Sequence, residues 1–294
     1  MISVTRGSCE VVADGQPPRI CELSGDLARV QQTSIAVGDR VTLLERPDAA
    51  PQVIAVQPRT STLSRPDPMD PRIERVLVAN VDDVVIVSAT RRPTLKLGLI
   101  DRYLVAIQRG GGRPVVVVNK AELLDNSRRA ALVRELSPYR DLGVPVVLTS
   151  ASSGQGISEL RGVLSARTCA FVGHSGVGKS SLLNALLGHD MAAIGRVREG
   201  DGKGRHTTTS AVLHDLPDGT RIIDTPGVRA FGLWGLDRRS LRHYFPEFDD
   251  RPCRYNDCAH DPETEEDCAV KRAVADGTIS SARYRTYLRL LHDL

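Results

Sequence analysis

The sequence predicts a multidomain chain: a small β-barrel, an α/β domain built on a parallel sheet, and a mainly helical C-terminal module. Three changes of texture carry this. Residues 1–62 read as short alternating strands broken by turns. From residue 73 onward, continuous apolar β-branched runs alternate with helical patterns. After Trp234 the chain turns polar and irregular through a cluster of cysteines, then ends in two helical patterns. At 294 residues the chain exceeds one minimal domain. The boundaries expected are 1–65, 72–235 and 236–294.

Composition narrows the function classes. With 41% hydrophobic and 26% charged residues the chain has an ordinary globular balance. No apolar run approaches the roughly 18–20 residues that cross a bilayer. The N-terminus lacks a basic segment followed by an apolar core, so a cytoplasmic location without a membrane partner is expected. Net charge is +3, divided as −1 over residues 1–75, +6 over 76–235 and −2 over 236–294. Bulk charge therefore does not mark a polyelectrolyte binder, although local basic patches remain possible.

In the first block, Cys9–Val12, Arg40–Leu44 and Gln52–Gln57 alternate as strands do, and Asp14-Gly15 and Gly38-Asp39 signal turns. Five such strands suit an OB-fold barrel, and an SH3-like barrel fits nearly as well. Ser64–Pro71, with three prolines, reads as a linker. Beyond it, Val81–Ser88, Pro114–Val118, Val144–Leu148 and Cys169–Val172 read as buried strands. Leu97–Arg109, Ser127–Leu136 and Ile157–Leu164 read as the helices between them, which gives a parallel sheet covered on both faces. Thr208–Leu216 and Thr220–Asp224 flank Pro217-Asp218-Gly219 as a hairpin. Ala269–Ala275 and Ser281–Leu294 read as the closing helices.

Gly173-His174-Ser175-Gly176-Val177-Gly178-Lys179-Ser180 matches G-x-x-x-x-G-K-[ST], between a buried strand and a helix beginning at Ser181. Glycines let successive amides converge on phosphate oxygens, and the helix N-terminus adds a favourable field. Lys179 is expected on the β/γ-phosphates and Ser180 on Mg²⁺. The strand Val115–Val118 runs into Asn119-Lys120-Ala121-Glu122, similar to the N-K-x-D guanine signature. A carboxylate there accepts from the guanine N1–H and amine, an edge that adenine lacks. The acid here is Glu122, one methylene longer than aspartate. Thr149-Ser150-Ala151, at the next strand end, looks like the S-A-x loop that meets guanine O6.

Ile222-Ile223 leads into Asp224-Thr225-Pro226-Gly227, a D-x-x-G element. Asp224 is expected to hold Mg²⁺ through water, and the Gly227 amide to meet the γ-phosphate. Upstream, the glycine-rich stretch 196–204 precedes Arg205-His206-Thr207-Thr208-Thr209. Thr208 is favoured to complete the Mg²⁺ shell, with its neighbours as alternatives. Many GTPases carry a water-orienting glutamine just after this glycine, but Val228 stands here. His206 is a candidate for the role, and a solvated loop histidine is the plainer reading. Slow intrinsic hydrolysis follows.

The two guanine elements precede the phosphate loop and D-x-x-G, the reverse of the usual order. The site needs each loop at the carboxyl edge of its strand, not a particular chain order. With the barrel, Val37-Gly38-Asp39-Arg40-Val41, the GHSGVGKSS stretch, GRHTTT at 204–209, DTPGV at 224–228 and the cysteine cluster, the chain resembles the RsgA (YjeQ) family over nearly its whole length. These are bacterial circularly permuted GTPases of small ribosomal subunit biogenesis. The resemblance implies an OB-fold, a permuted P-loop GTPase domain and a C-terminal zinc domain. It also implies GTP and GDP as ligands, and the 30S subunit and its rRNA as partners that stimulate hydrolysis.

Cys253, Cys258, His260 and Cys268 give three thiolates and one imidazole, a closed structural zinc set. The last spacer, Asp261–Asp267, is two residues longer than the family's usual one and carries five acids. Cys9, Cys21 and Cys169 lie in strand patterns and read as core. Residues 1–62 contain no Phe, Trp or Tyr, so the barrel offers no stacking platform for bases. Arg238, Arg239, Arg242, Arg251 and Arg254 form a local cationic region for rRNA phosphates, or are simply solvated. The expectation is a monomeric GTP hydrolase that docks on the small subunit with GTP and leaves on hydrolysis. The alternative is a nucleotide-gated RNA-binding or translation-regulating module in which hydrolysis is incidental. An ATP-dependent metabolic enzyme ranks lower, because no acceptor-substrate pocket is evident.

Overall fold

The computed structural model describes residues 1–294 apart from 5–6, 14–15, 26, 28–34, 189–211 and 226–231. The N-terminal strands are β1 (Ser3–Val4), β2 (Ser8–Val11), β3 (Arg19–Leu23), β4 (Val41–Arg46) and β5 (Ala49–Val56). They form one sheet in the order β1-β2-β3-β5-β4. All pairs are antiparallel except β3–β5. That order resolves the barrel in favour of the OB-fold. Alternation turns Cys9, Val11, Cys21 and Val53 inward and leaves Ile20, Leu44 and Ile54 exposed. Cys9 lies opposite Cys21 in the β2–β3 ladder. Burial pushes the Cys9 thiol up to about 11, as suits a core residue.

The proline-rich stretch expected as a linker is folded. β6 (Thr62–Pro66) and β7 (Glu74–Ala79) pair as an antiparallel hairpin. Pro66 falls at the strand end, and Pro68 and Pro71 in the tip, where no ladder donor is missed. Asp67 and Asp70 accept the amides of Met69 and Arg72 and tighten that tip.

The central domain runs β8 (Asp83–Ala89), α1 (Leu97–Arg109), β9 (Arg113–Asn119), α2 (Asn126–Glu135), α3 (Ser137–Asp141), β10 (Val146–Leu148), α4 (Ile157–Leu164), β11 (Thr168–Val172), α5 (Lys179–Leu187), β12 (Val212–Asp215) and β13 (Arg221–Asp224). The sheet order is β10-β9-β8-β11-β13-β12, with every pairing parallel except β12–β13. Every residue of β8 is buried, as a strand covered on both faces requires. Val84, Ile86, Ala170 and Val172 face one layer with α1, and Val85, Val87, Cys169 and Phe171 face the other with α4 and α5. The helix α3, absent from the sequence reading, begins on Ser137-Pro138, with the proline in its first turn.

The C-terminal module holds short 3-10 turns at Leu241–Tyr244 and Pro246–Phe248, then α6 (Ala269–Ala275) and α7 (Ser281–Asp293). Its core of Phe245, Phe248, Tyr287, Leu290 and Leu291 also takes in Val105 of α1. No helix among the described residues is long and apolar enough to cross a membrane.

A buried ion network ties this module to α1. Arg283, 4% exposed, donates to Asp101 Oδ1 of α1 at 2.8 Å and to both Glu247 oxygens at 2.7 and 3.0 Å. The guanidinium also lies 4.6 Å over the Phe245 ring. Burial pushes the Asp101 carboxyl up, while the Arg283 charge opposes it. Removing one partner of such a set strands a buried charge. Asp101→Ala is expected to cost about 3 kcal/mol, because Glu247 still holds Arg283. Urea denaturation followed by the fluorescence of Trp234, which lines the cleft beside α1, measures it, and an unchanged midpoint refutes it.

Candidate functional site

The carboxyl ends of β8, β9, β10, β11 and β13 open on one edge of the sheet, and the predicted loops leave from that edge. The phosphate loop follows β11. Gly173 has φ +146, and a Cβ there would stand 2.2 Å from Val87 O of β8. Gly178 has φ +94 and opens α5, and its Cβ would stand 2.4 Å from Asn119 Nδ2. Only glycine fits either position. Val177 is buried, whereas His174, Ser175, Gly176, Ser180 and Ser181 are exposed along the loop and first helical turn.

Lys179 Nζ donates to Gly173 O at 2.8 Å under the loop. Burial lowers its pKa, and the charge of Asp224 opposes that. At the end of β13, Asp224 stands level with Phe171 of β11. Burial raises its carboxyl pKa, and Lys179 opposes that. A half-buried lysine and carboxylate that influence one another electrostatically suit a site where a polyphosphate and a divalent cation meet. Thr225 Oγ1 donates to Phe171 O at 2.5 Å and anchors the strand end.

Asn119 interlocks three loops. Its Nδ2 donates to Val177 O at 3.1 Å, and its Oδ1 accepts from Ala151 N at 3.2 Å and Thr149 Oγ1 at 3.3 Å. Lys120 Nζ donates to Gly176 O at 2.7 Å. Ala121 N donates to Thr149 O at 2.9 Å, joining the two guanine elements. Glu122 follows in a 3-10 turn, Ala121–Leu123. Slight burial resists its ionisation, but hydrogen bonding from Ser150, its own amide and Ser152, with the Lys120 charge, holds its carboxyl below the ordinary value. The longer acid therefore stands ionised beside the buried Ser150. His206, Thr208, Gly227 and Val228 lie outside the described residues.

The second cluster is in the C-terminal module. The donor atoms of Cys253, Cys258, His260 and Cys268 all lie within 4.8 Å of one another. His260 Nδ1 is 3.6, 3.3 and 3.5 Å from the sulfurs of Cys253, Cys258 and Cys268, and the sulfurs of Cys253 and Cys268 are 3.9 Å apart. A tetrahedron with zinc bond lengths has S–S edges of about 3.8 Å and S–N edges of about 3.5 Å. The donor set fits a structural zinc ion. Burial pushes the Cys258 and Cys268 thiols up, a cost that a bound cation would offset.

The long acidic spacer closes by its backbone. Lys271 Nζ donates to the carbonyls of Asp261 and Glu263, both at 2.5 Å. Arg272 donates to those of Glu265 and Glu266 at 2.9 and 2.7 Å. Cations of α6 thus bind the loop's carbonyls, while Glu263 turns in to accept the amides of Ala259 and Asp261, and Glu265 and Glu266 are exposed.

The predicted cationic region divides. Arg254 pairs with Asp267 at 2.9 Å, and Arg238 donates to Leu291 O of α7 at 2.8 Å. Arg242 and Arg251 bind the carbonyls of Asn256 and Glu247 and line a cavity of about 290 Å³ with His243, Phe248 and Tyr255, next to the cysteine cluster. Sequence reasoning missed Thr90, which hydrogen-bonds the guanine loop. Its one signal was a polar residue closing an apolar strand.

Phosphate and guanine elements on one edge of a doubly covered parallel sheet, in reversed chain order, define a circularly permuted P-loop GTPase. A sequence profile of the RsgA GTPase matches residues 56–234. The chain is 40% identical over 303 aligned positions to the small ribosomal subunit biogenesis GTPase RsgA of Haemophilus influenzae, covering 100% of this chain and 84% of that one. It is 41% identical to the protein of the same name from Klebsiella pneumoniae, covering 89% of this chain and 75% of that one. Among solved structures, YjeQ from Thermotoga maritima superposes with a TM-score of 0.78 at 32% identity, covering 100% and 96% of the two chains. YloQ, described as a circularly permuted GTPase, shares the fold with a TM-score of 0.72 at 24% identity, covering 99% and 92%. The chain belongs to the RsgA GTPase family, and it is a GTP-hydrolysing enzyme.

Purified protein is expected to carry a single zinc ion per chain at the cysteine cluster. Cys258→Ser should lose it and lower the thermal midpoint. Metal analysis with circular dichroism checks this, and a zinc-free wild type with unchanged folding overturns it.

Proposed function

We propose that the chain is a cytoplasmic, monomeric assembly factor of the small ribosomal subunit, which binds the subunit in its GTP state and leaves on hydrolysis. The observation that carries the nucleotide half is Asn119, bonded at once to the phosphate loop and to the Ser150-Ala151 loop. In this reading Asn119 and Glu122 recognise guanine, with Ser150 and Ala151 closing the base site and Lys120 spanning to the phosphates. The amides of 173–181 and Lys179 hold the phosphate oxygens. Ser180, Thr208 and Asp224 are the proposed Mg²⁺ ligands. The ion supplies charge compensation for the β- and γ-phosphate oxygens when bound. Gly227 senses the γ-phosphate and His206 orients the attacking water.

The partner half is supported by the names of the relatives and by the cavity at Arg242, Arg251 and Tyr255. Tyr255 is 48% exposed there, with Arg254 5.8 Å from its ring centroid. An exposed ring among guanidinium groups suits an unpaired base and its phosphate. The proposed division is a barrel at 1–65, the GTPase domain at 72–235 and the zinc domain at 236–294.

Guanine over adenine nucleotide affinity is the first test, and equal binding of GTP and ATP sinks the reading of Asn119 and Glu122. The second is the GTPase rate with and without purified 30S subunits, where stimulation is expected. No stimulation would favour a nucleotide-gated RNA-binding module.

Asp224 sets a pH dependence. Its carboxyl pKa is raised, so it takes a proton before an ordinary aspartate as the pH falls. A protonated Asp224 no longer attracts a cation. The Mg²⁺ concentration giving half-maximal GTPase activity should therefore rise on acidification. Asp224→Asn should need high Mg²⁺ at every pH, and a pH-dependent Mg²⁺ requirement that persists in this variant refutes the assignment.

A further inference from the structure

The loop between β8 and α1 carries no nucleotide motif, yet it holds both nucleotide loops. Thr90 is 9% exposed. Its amide donates to Asn119 O at 3.0 Å, and its hydroxyl donates to Lys120 O at 2.7 Å. One residue thus fixes two successive carbonyls of the guanine loop. Lys120 has φ +63, a left-handed conformation that a side chain keeps only where its surroundings impose it. Two residues further on, Arg92 O accepts from Lys120 Nζ, which also reaches Gly176 O at 2.7 Å. Pro93 Cδ lies 3.8 Å from where a Cβ on Gly176 would stand. Backbone and ammonium of Lys120 are held from the same loop.

We propose that Thr90 is a positioning residue for the nucleoside. Its hydroxyl fixes the Lys120 backbone, so that the lysine stem spans from guanine loop to phosphate loop along the nucleotide. This rests on the proposed reading of the guanine site. Thr90 commits its amide and hydroxyl to the loop's carbonyls and acts through Lys120. Its effect therefore falls on nucleotide affinity more than on the hydrolytic step.

The test uses the full chain as Thr90→Val, Thr90→Ala and Thr90→Ser, with fluorescent GDP and GTP analogues and steady-state GTPase assays. Loss of one hydrogen bond to the guanine loop should raise Kd and KM by about 2- to 10-fold in Val and Ala, with a smaller change in kcat. Ser keeps the hydroxyl and should stay within about twofold of wild type by the same reckoning. In a Lys120→Ala background the Val substitution should change affinity little, because the two act as one unit. Wild-type affinity in Val and Ala overturns the proposal. So does a Ser variant as weak as Val, which would assign the effect to methyl packing, and so does full additivity with Lys120→Ala. Thermal midpoints identify a Val variant that fails to fold, and Ala against Ser then decides. Wild-type protein that binds ATP as well as GTP would instead sink the underlying site reading.

Discussion

The parallel pairing of β8 with β11 is the constraint on which the rest of the molecule depends. Cys169 to Val172 stand level with Asp83 to Ile86. β8 brings β9 and β10 with the guanine loops, and β11 brings β13 with the phosphate loop and Asp224. The far end of this seam is locked by Asp83, fully buried, which accepts from Arg113 at 2.6 and 2.8 Å and faces Arg167 at 3.8 Å. At the near end Gly173 packs on Val87 O. A one-residue slip would turn the apolar faces over and carry the phosphate loop away from Asn119. Chain order is free to be permuted because this lateral register, not sequence distance, brings the motifs together.

The parts of the fold legible in the sequence were those whose signal is local. α1, α4 and α6 fall on the residues that their periodicity indicates, and the strands of the sheet fall within a few residues of theirs. The motif spacings also marked segments that the fold brings together: 173–180 with Asn119 and Ala151, and the Cys₃His donors with one another. The β6–β7 hairpin was not. Prolines at 66, 68 and 71 look like linker residues until the pairing shows them at a strand end and a tip. Thr90 was invisible for a similar reason. Its place depends on Ala89 standing opposite Asn119, a register that no local pattern records. The arginines divided for a third reason. Sequence proximity grouped five of them, whereas folding tied Arg254 to Asp267 and Arg238 to α7.

Glu122 illustrates how a departure from a motif is absorbed. Its carboxylate is hydrogen-bonded from Ser150 and Ser152, whose hydroxyls are 3.1 Å apart. The long spacer of the Cys₃His cluster is held in a similar way, by Lys271 and Arg272 reaching its carbonyls. In both places hydrogen bonds to nearby groups hold the longer segment.

The permutation also decides what can push on what. Cutting the GTPase fold ahead of β8 makes β8 and α1 its leading elements and sends the chain after β13 into the C-terminal module. That module is not hung on the connection alone. Arg283 bolts it to Asp101, and Val105 of the same helix enters its core. α1 begins just after the loop whose Thr90 and Arg92 hold Lys120. The module is therefore connected to the loops at the carboxyl edge of the sheet in two ways: along the chain that follows β13, and by packing on α1, which follows the loop that holds Lys120. On the proposed guanine reading, a surface that displaces α1 on docking the module changes nucleotide affinity, and by linkage bound nucleotide changes docking by the same factor. The buried network at Arg283 is the joint between the two bodies, with Asp101 from α1 and Glu247 and Arg283 from the module.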